Sequence, residues 1–138
     1  MTQAKKNELD KNKILTQLTG LAQIIEKDQW KLEYDAELDE LFFGKKIMPK
    51  KSFLFSINDE LNLFLTPDSK VSGIFVEYFA NNYIEHNKKL KPVLAAFSKG
   101  HNQDNEKQSL AKEALEERLQ NQAIGSVFNM KKLVVAII

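Results

Sequence analysis

Apolar and polar positions recur along this chain with two different periods, and the changes of period divide it. Over residues 8–27, Ile14, Leu18, Leu21 and Ile25 return at helical spacing, with Leu15 and Ala22 widening the stripe. Lysines, Gln17 and Gln23 fill the opposite face, which predicts one amphipathic helix. Gly20 lies inside it as a tolerated weak point. From Trp30 the period falls to two, with Trp30, Leu32 and Tyr34 alternating with Lys31 and Glu33, the mark of a strand with one wet face. Asp35, Ala36 and Glu37 predict a turn, because aspartate bonds its own backbone there. The chain returns through residues 38–43 and stops at Gly44, completing a first hairpin.

Residues 44–52 read as a loop punctuated by Gly44 and Pro49, and residues 53–79 as the densest apolar stretch of the chain. Phe53, Phe55 and Ile57 share one face of a third strand. Leu61, Leu63 and Leu65 point inward from a fourth, with Asn62 outward. Pro67, Asp68, Ser69 and Lys70 form a turn, since proline pre-sets its backbone angle. The fifth strand, 71–79, sets Ile74, Val76 and Tyr78 opposite Phe75, and Gly73 within it predicts a bulge or a close backbone approach.

Beyond Ala80 the helical period returns through Tyr83, Ile84, Leu90, Val93, Leu94 and Phe97, with Pro92 opening a separate short helix. Residues 100–105 are a polar linker, residues 106–122 an amphipathic helix with Ala111, Leu115 and Leu119 on one line, and residues 130–138 a closing strand. Together these elements predict an α+β fold: a five-stranded, mostly antiparallel meander with flanking helices packed on one face. The expected organisation is an α+β domain over residues 1–99, holding the N-terminal helix, the sheet of 30–79 and the helical segment 80–99. Residues 100–138 supply the linker, the amphipathic helix and the last strand.

Composition narrows the function. The 138 residues are 43% hydrophobic and 28% charged with a net charge of +1, as in ordinary globular domains, so the overall charge points neither to nucleic acid nor to membrane. The lack of cysteine excludes a disulfide scaffold, a thiol nucleophile and a cysteine-ligated zinc. No stretch approaches the roughly 18–20 apolar residues that span a bilayer, and residues 1–13 lead into no apolar signal core. The expected setting is the cytoplasm, without a membrane partner and without a cofactor. Of the basic residues only Arg118 is an arginine, which leaves the surface nearly without the planar fork that reads carboxylate, phosphate or guanine edges.

Few side chains carry candidate chemistry. Asp35, Glu37 and Asp39 are spaced as in a calcium loop, but Glu40 replaces the required glycine and Lys46 stands where the closing glutamate belongs. Their alternation would let them converge on a cation. The plainer reading is an acidic turn that guards a sheet edge. His86 and His101 lack metal-ligand spacing, and Ser52, Ser56 and Ser72 lack a strand-to-helix elbow, which leans away from an enzyme. Lys45, Lys46, Lys50 and Lys51, and Lys88, Lys89 and Lys91 with Lys99, would form a phosphate-binding face if the fold joined them. Phe42, Tyr78 and Tyr83 would then offer stacking surfaces. The uncharged, β-prone end of the chain is expected to be covered, as a strand added to its own sheet or exchanged with another subunit. Leu133, Val135 and Ile137, with Leu115 and Leu119, are accordingly the candidate interaction residues.

Residues 34–43, the turn at 58–60, and residues 63–79 with the arm Val71-Ser72-Gly73-Ile74-Phe75-Val76 resemble the family named domain of unknown function 2283. The resemblance covers residues 30–79; the serine at 72 and the long lysine loop depart from its pattern. It implies a small curved antiparallel sheet without assigned enzymatic activity, and an antitoxin-like partner role. The leading expectation is a non-enzymatic protein-interaction module that forms a homo-oligomer or binds a protein partner through its sheet edge and a terminal helix. Nucleic-acid binding through the lysines is the second reading. A cation-binding or hydrolytic enzyme built on the acidic hairpin is the third.

Overall fold

A computed structural model describes residues 5–97, 106–131 and 133–137. The chain opens with strand β1 (Lys5–Glu8) and helices α1 (Lys11–Thr19) and α2 (Leu21–Asp28). Strands β2 (Lys31–Asp35), β3 (Glu40–Gly44), β4 (Phe53–Ser56), β5 (Leu61–Leu65) and β6 (Val71–Glu77) follow. A π-helical turn at Phe79–Tyr83 leads into short helices α3 (Ile84–His86) and α4 (Val93–Ala96), then the long α5 (Glu106–Asn129) and strand β7 (Val134–Ile137).

The expected α+β architecture is present. Strands β2 to β6 form an antiparallel sheet in the order β2-β3-β6-β5-β4. The order refines the meander: the hairpin β2–β3 and the meander β4–β5–β6 join through β3 and β6, so the strand richest in β-formers is central. The loop between β3 and β4 must therefore pass β6 and β5, a crossing of about 14 Å at the usual strand spacing, which accounts for its length.

Period-two alternation sends Leu41, Phe43, Leu61, Leu63, Leu65, Ile74 and Val76 to one face, all fully or nearly fully buried. Against that face lie Ile14, Leu18 and Leu21 from α1 and α2, and Leu115, Leu119, Ala123 and Val127 from α5, in one continuous core. Burying each large aliphatic side chain contributes about 1.5–3 kcal/mol relative to exposure. No described helix is long and apolar enough to cross a membrane.

Several expectations are corrected. The helix expected over 8–27 starts at Lys11, where Asp10 accepts a hydrogen bond from the Lys13 N–H (3.0 Å), and it breaks in two at Gly20. Residues 5–8 are a strand. The helix expected to stop at 122 runs to Asn129, because Ala123 and Val127 extend the four-residue stripe of Leu115 and Leu119. Lys11 donates from its ammonium to the Phe128 and Met130 carbonyls, covering the end of α5 with positive charge. Gln17 does not face solvent freely: its amide donates to the Ser69 carbonyl (2.8 Å) and accepts from the Val71 N–H (2.8 Å), tying α1 to the β5–β6 turn. Tyr78 leaves the strand with φ 51 and is 62% exposed rather than facing inward. The linker at 100–105, Lys99 and His101 lie outside the described residues.

Both effects expected of Gly73 occur. Leu65 pairs with Val71 and Phe64 with Gly73, so Ser72 is the extra residue of a bulge, and its hydroxyl donates to the Phe64 carbonyl (3.1 Å). Gly73 faces Gly44 across β3 and β6, and the Phe42 ring lies over the pair. A Cβ at Gly44 would sit 2.7 Å from the Phe42 ring and 2.7 Å from the Ser72 carbonyl oxygen. Gly44→Ala is expected to lower the unfolding free energy by about 2–3 kcal/mol, since backbone must move. Gly125→Ala, on a helical residue with open space around it, is expected to raise it by about 0.5–1 kcal/mol. Urea unfolding of the two variants checks both signs.

Candidate functional site

The acidic hairpin is a structural latch. Asp35 accepts from the N–H groups of Glu37 (3.0 Å) and Leu38 (3.1 Å), which makes the expected turn. The turn throws Asp39 inward at φ 55, where it is 8% exposed. One Asp39 oxygen accepts from the Tyr34 hydroxyl (2.6 Å) and the Ala80 N–H (2.7 Å). The other accepts from the Asn81 N–H (3.1 Å) and side-chain amide (2.8 Å). The Asp39 carbonyl accepts from the Phe79 N–H (2.9 Å). These donors occupy the carboxylate, so Asp35, Glu37 and Asp39 do not converge on a cation. Among the described residues no group of three acidic or histidine side chains is placed to hold a metal.

Burial, the largest influence on Asp39, pushes its carboxyl up. The Tyr34 hydroxyl and the N–H groups of Ala80 and Asn81 outweigh it and hold the group below the usual carboxylate value. Tyr34 is pushed up to about 12, first by burial and then by its bond to Asp39. The pair is thus a neutral donor on a charged acceptor at neutral pH.

The sequence-selected lysines are divided between the ends of the sheet. Lys45, Lys46, Lys50 and Lys51 follow the C-terminal end of β3, and Lys45 pairs with Asp28 on α2 (3.6 Å). Lys88, Lys89 and Lys91 follow His86, whose ring lies 3.3 Å from Glu60, at the opposite end, where β5 begins and β6 stops. There Lys88, Lys89, His86 and Arg118 line a hollow of about 560 Å³ with Asn87 and Leu90. The two lysine groups do not merge into one basic face. Of the stacking candidates, Tyr83 is fully buried and donates to Gln122 (2.6 Å).

The interaction candidates are relocated as well. Leu115, Leu119 and Leu133 are 0%, 0% and 1% exposed and belong to the protein's own core. Val135 and Ile137 lie on β7, which pairs with β1 in a separate two-stranded ribbon, Val135 opposite Asn7 and Ile137 opposite Lys5; their side chains are outside the described residues. The C-terminal strand neither extends the main sheet nor requires a second subunit. Nor do the main sheet's own edges invite pairing: β4 is four residues long, and β2 exposes Lys31, Glu33 and Asp35.

What the sequence reading passed over is the outward face of the five-stranded sheet. The helices described pack on the opposite face. In register across the sheet, the outward positions hold Leu54 beside Phe64, and Phe75 beside Phe42. Phe42 and Phe75 each meet Phe64 edge-on, with ring centroids 5.6 and 5.9 Å apart. The three rings are half-buried, and Leu54 is 46% exposed. Next to them, Glu33, Asp35, Glu37 and Glu40 rim a hollow of about 520 Å³ floored by Phe42 and Phe75. Alternation, which marked Phe53 and Phe55 as core, equally marked Leu54, Phe42, Phe64 and Phe75 as outward; their apolar character was the available signal.

No family model, no curated protein and no solved structure matches the chain.

The latch makes stability depend on pH in a defined direction. Asp39 titrates below its unfolded value of 3.8, so its contribution is present above that value and lost as pH falls through the lower folded one. Asp39→Asn is expected to cost about 2–3 kcal/mol at neutral pH and progressively less as pH falls below 3.8. Tyr34, raised to about 12, contributes fully below pH about 10 and loses that contribution as pH rises toward 12. Tyr34→Phe is expected to flatten this alkaline limb in urea-unfolding series.

Proposed function

We propose that the protein is a protein-interaction module whose working surface is the outward face of its five-stranded sheet. The observation that carries this reading is the aromatic row. One-sided antiparallel sheets turn polar residues to water, whereas here Phe64, Phe75 and Phe42 occupy the middle of the outward face and Leu54 its β4 edge. Contiguous exposed apolar surface rimmed by charge is characteristic of association sites. Aromatic residues are also enriched in interface cores.

Other readings have less support. Asp39 and Tyr83 are engaged in hydrogen bonds that hold the fold. The lysines of residues 45–51 and 88–91 stand at opposite ends of the sheet, so a shared phosphate-binding track is not supported. The apolar tail, expected to mediate assembly, is paired within the chain, so the sheet face replaces it as the contact surface.

A photo-crosslinking amino acid at Leu54, compared with one at the exposed Glu117 on α5, tests the proposal in cells that make the protein. Protein adducts at position 54 and none at 117 are expected. Equal labelling at both positions, or no adduct at 54, would contradict it.

A further inference from the structure

Resting on that reading, we propose that the occupant of the sheet face is a second copy of this chain, stacked face to face with its strands reversed. Each copy's lysine loop then lies over the other's acidic sheet end.

On its outward face the sheet is electrically polar along its strands; Lys88 and Lys89, at the acidic end, line a hollow with Arg118 of α5 on the helical side. β2 runs from Lys31 to Asp35 and β3 returns from Glu40 to Gly44, whence Lys45, Lys46, Lys50 and Lys51 depart. β6 ends at Glu77, and the β4–β5 turn at the same end holds Asp59 and Glu60. The register places Asp35 opposite Glu40 and Glu40 opposite Glu77, a carboxylate row across three adjacent strands. Like charges directly opposite destabilise a sheet, and among the described residues none of the three forms an ion pair. A cationic surface laid across this row would relieve that repulsion.

Symmetry selects the arrangement. Two copies related by a two-fold axis and packed through one face need the axis in the interface plane. An axis along the strands would lay carboxylate row on carboxylate row. An axis across the strands lays each acidic end over the partner's lysine loop and keeps β3 over β3. That arrangement brings the start of the loop, Lys46 and Ile47, to the hollow rimmed by Glu33, Asp35 and Glu40 and floored by Phe42 and Phe75. Ile47 is 84% exposed, and an apolar side chain beside a lysine matches an apolar floor inside an acidic rim. The aromatic rows of the two copies then stack at the usual separation of about 10 Å. Five strands of four to seven residues give a face only about 20 Å across, so the contact is at the small end of specific interfaces and the dimer dissociates on dilution.

Sedimentation velocity across a concentration series tests the proposal with two charge-reversed chains, Glu40→Lys/Glu77→Lys and Lys46→Glu/Lys50→Glu. Glu77, Lys46 and Lys50 are exposed and Glu40 is half-buried, and circular dichroism checks folding. The wild type is expected to shift from monomer to dimer, and each reversed chain to dimerise at least about tenfold more weakly. Their equimolar mixture should regain dimer, because both contacts become complementary only in the heterodimer. Ile47→Ser, at a site too exposed to affect folding, should weaken the dimer about tenfold. A wild type that stays monomeric, or a mixture that does not recover, overturns the proposal. If the wild type is monomeric while position 54 crosslinks a different protein, only the second-copy inference falls. If the wild type is monomeric and position 54 gives no adduct, the interaction reading falls with it.

Discussion

The buried carboxylate of Asp39 is the constraint on which the layering depends. It sits where the β2–β3 turn meets the exit of β6, and it binds the backbone of Ala80 and Asn81 as well as the Tyr34 hydroxyl. A carboxylate taken from water is tolerated only when such donors replace its hydration. Here the donors come from the segment that must leave the sheet and turn over it. The latch therefore does more than close a hairpin: it directs the chain from strand to helix through the αL residue Tyr78 and the turn at Phe79–Tyr83. Phe79 and Tyr83 stack at 5.6 Å and enter the core immediately afterwards.

Once the chain is turned to that side, the buried stripes of the helices are committed to one face. α1, α2 and α5 share a single core with the inward strand residues, and Lys11 and Gln17 pin α1 to the end of α5 and to the β5–β6 turn. Among the described residues no helix packs on the outward face, yet it keeps an aromatic row, with Phe42 seated over the Gly44–Gly73 pair. The same glycines that let β3 and β6 approach closely thus define the relief of the exposed surface. Fold and proposed function are linked at that point, because the side of the sheet left open is fixed by the latch and its chemistry by the residues between the strands.

Much of this was readable in the residues. Alternation placed Leu61, Leu63 and Leu65 correctly, and Gly73 signalled a bulge or a close approach, of which both occur. Three things were not readable. The position of β6 at the centre of the sheet depends on which strands pair, which alternation does not encode. The break at Gly20 and the continuation through Gly125 are opposite outcomes for the same residue type, decided by tertiary packing rather than by propensity. The outward aromatic face was not readable because a dense apolar stretch reads as core. The apolar character of Leu115, Leu119 and Leu133 fits a contact residue as well as a core residue, and their own chain covers them. The acidic spacing of Asp35, Glu37 and Asp39 resembled ligation, and the difference lies in the αL backbone of Asp39, which turns one of the three away from the others.

The proposal places association on the outward sheet face and makes a second copy of the chain its occupant. Backbone amide chemical shifts followed through serial dilution of the wild-type protein address both at once. The expected result is concentration-dependent movement confined to the outward sheet positions around Leu54, Phe64, Phe75 and Phe42, the carboxylate row of Glu40 and Glu77, and the loop at Lys46 and Ile47, with α5 unchanged. Shifts that do not move on dilution, or that move on α5 and leave the sheet face unaffected, would contradict it.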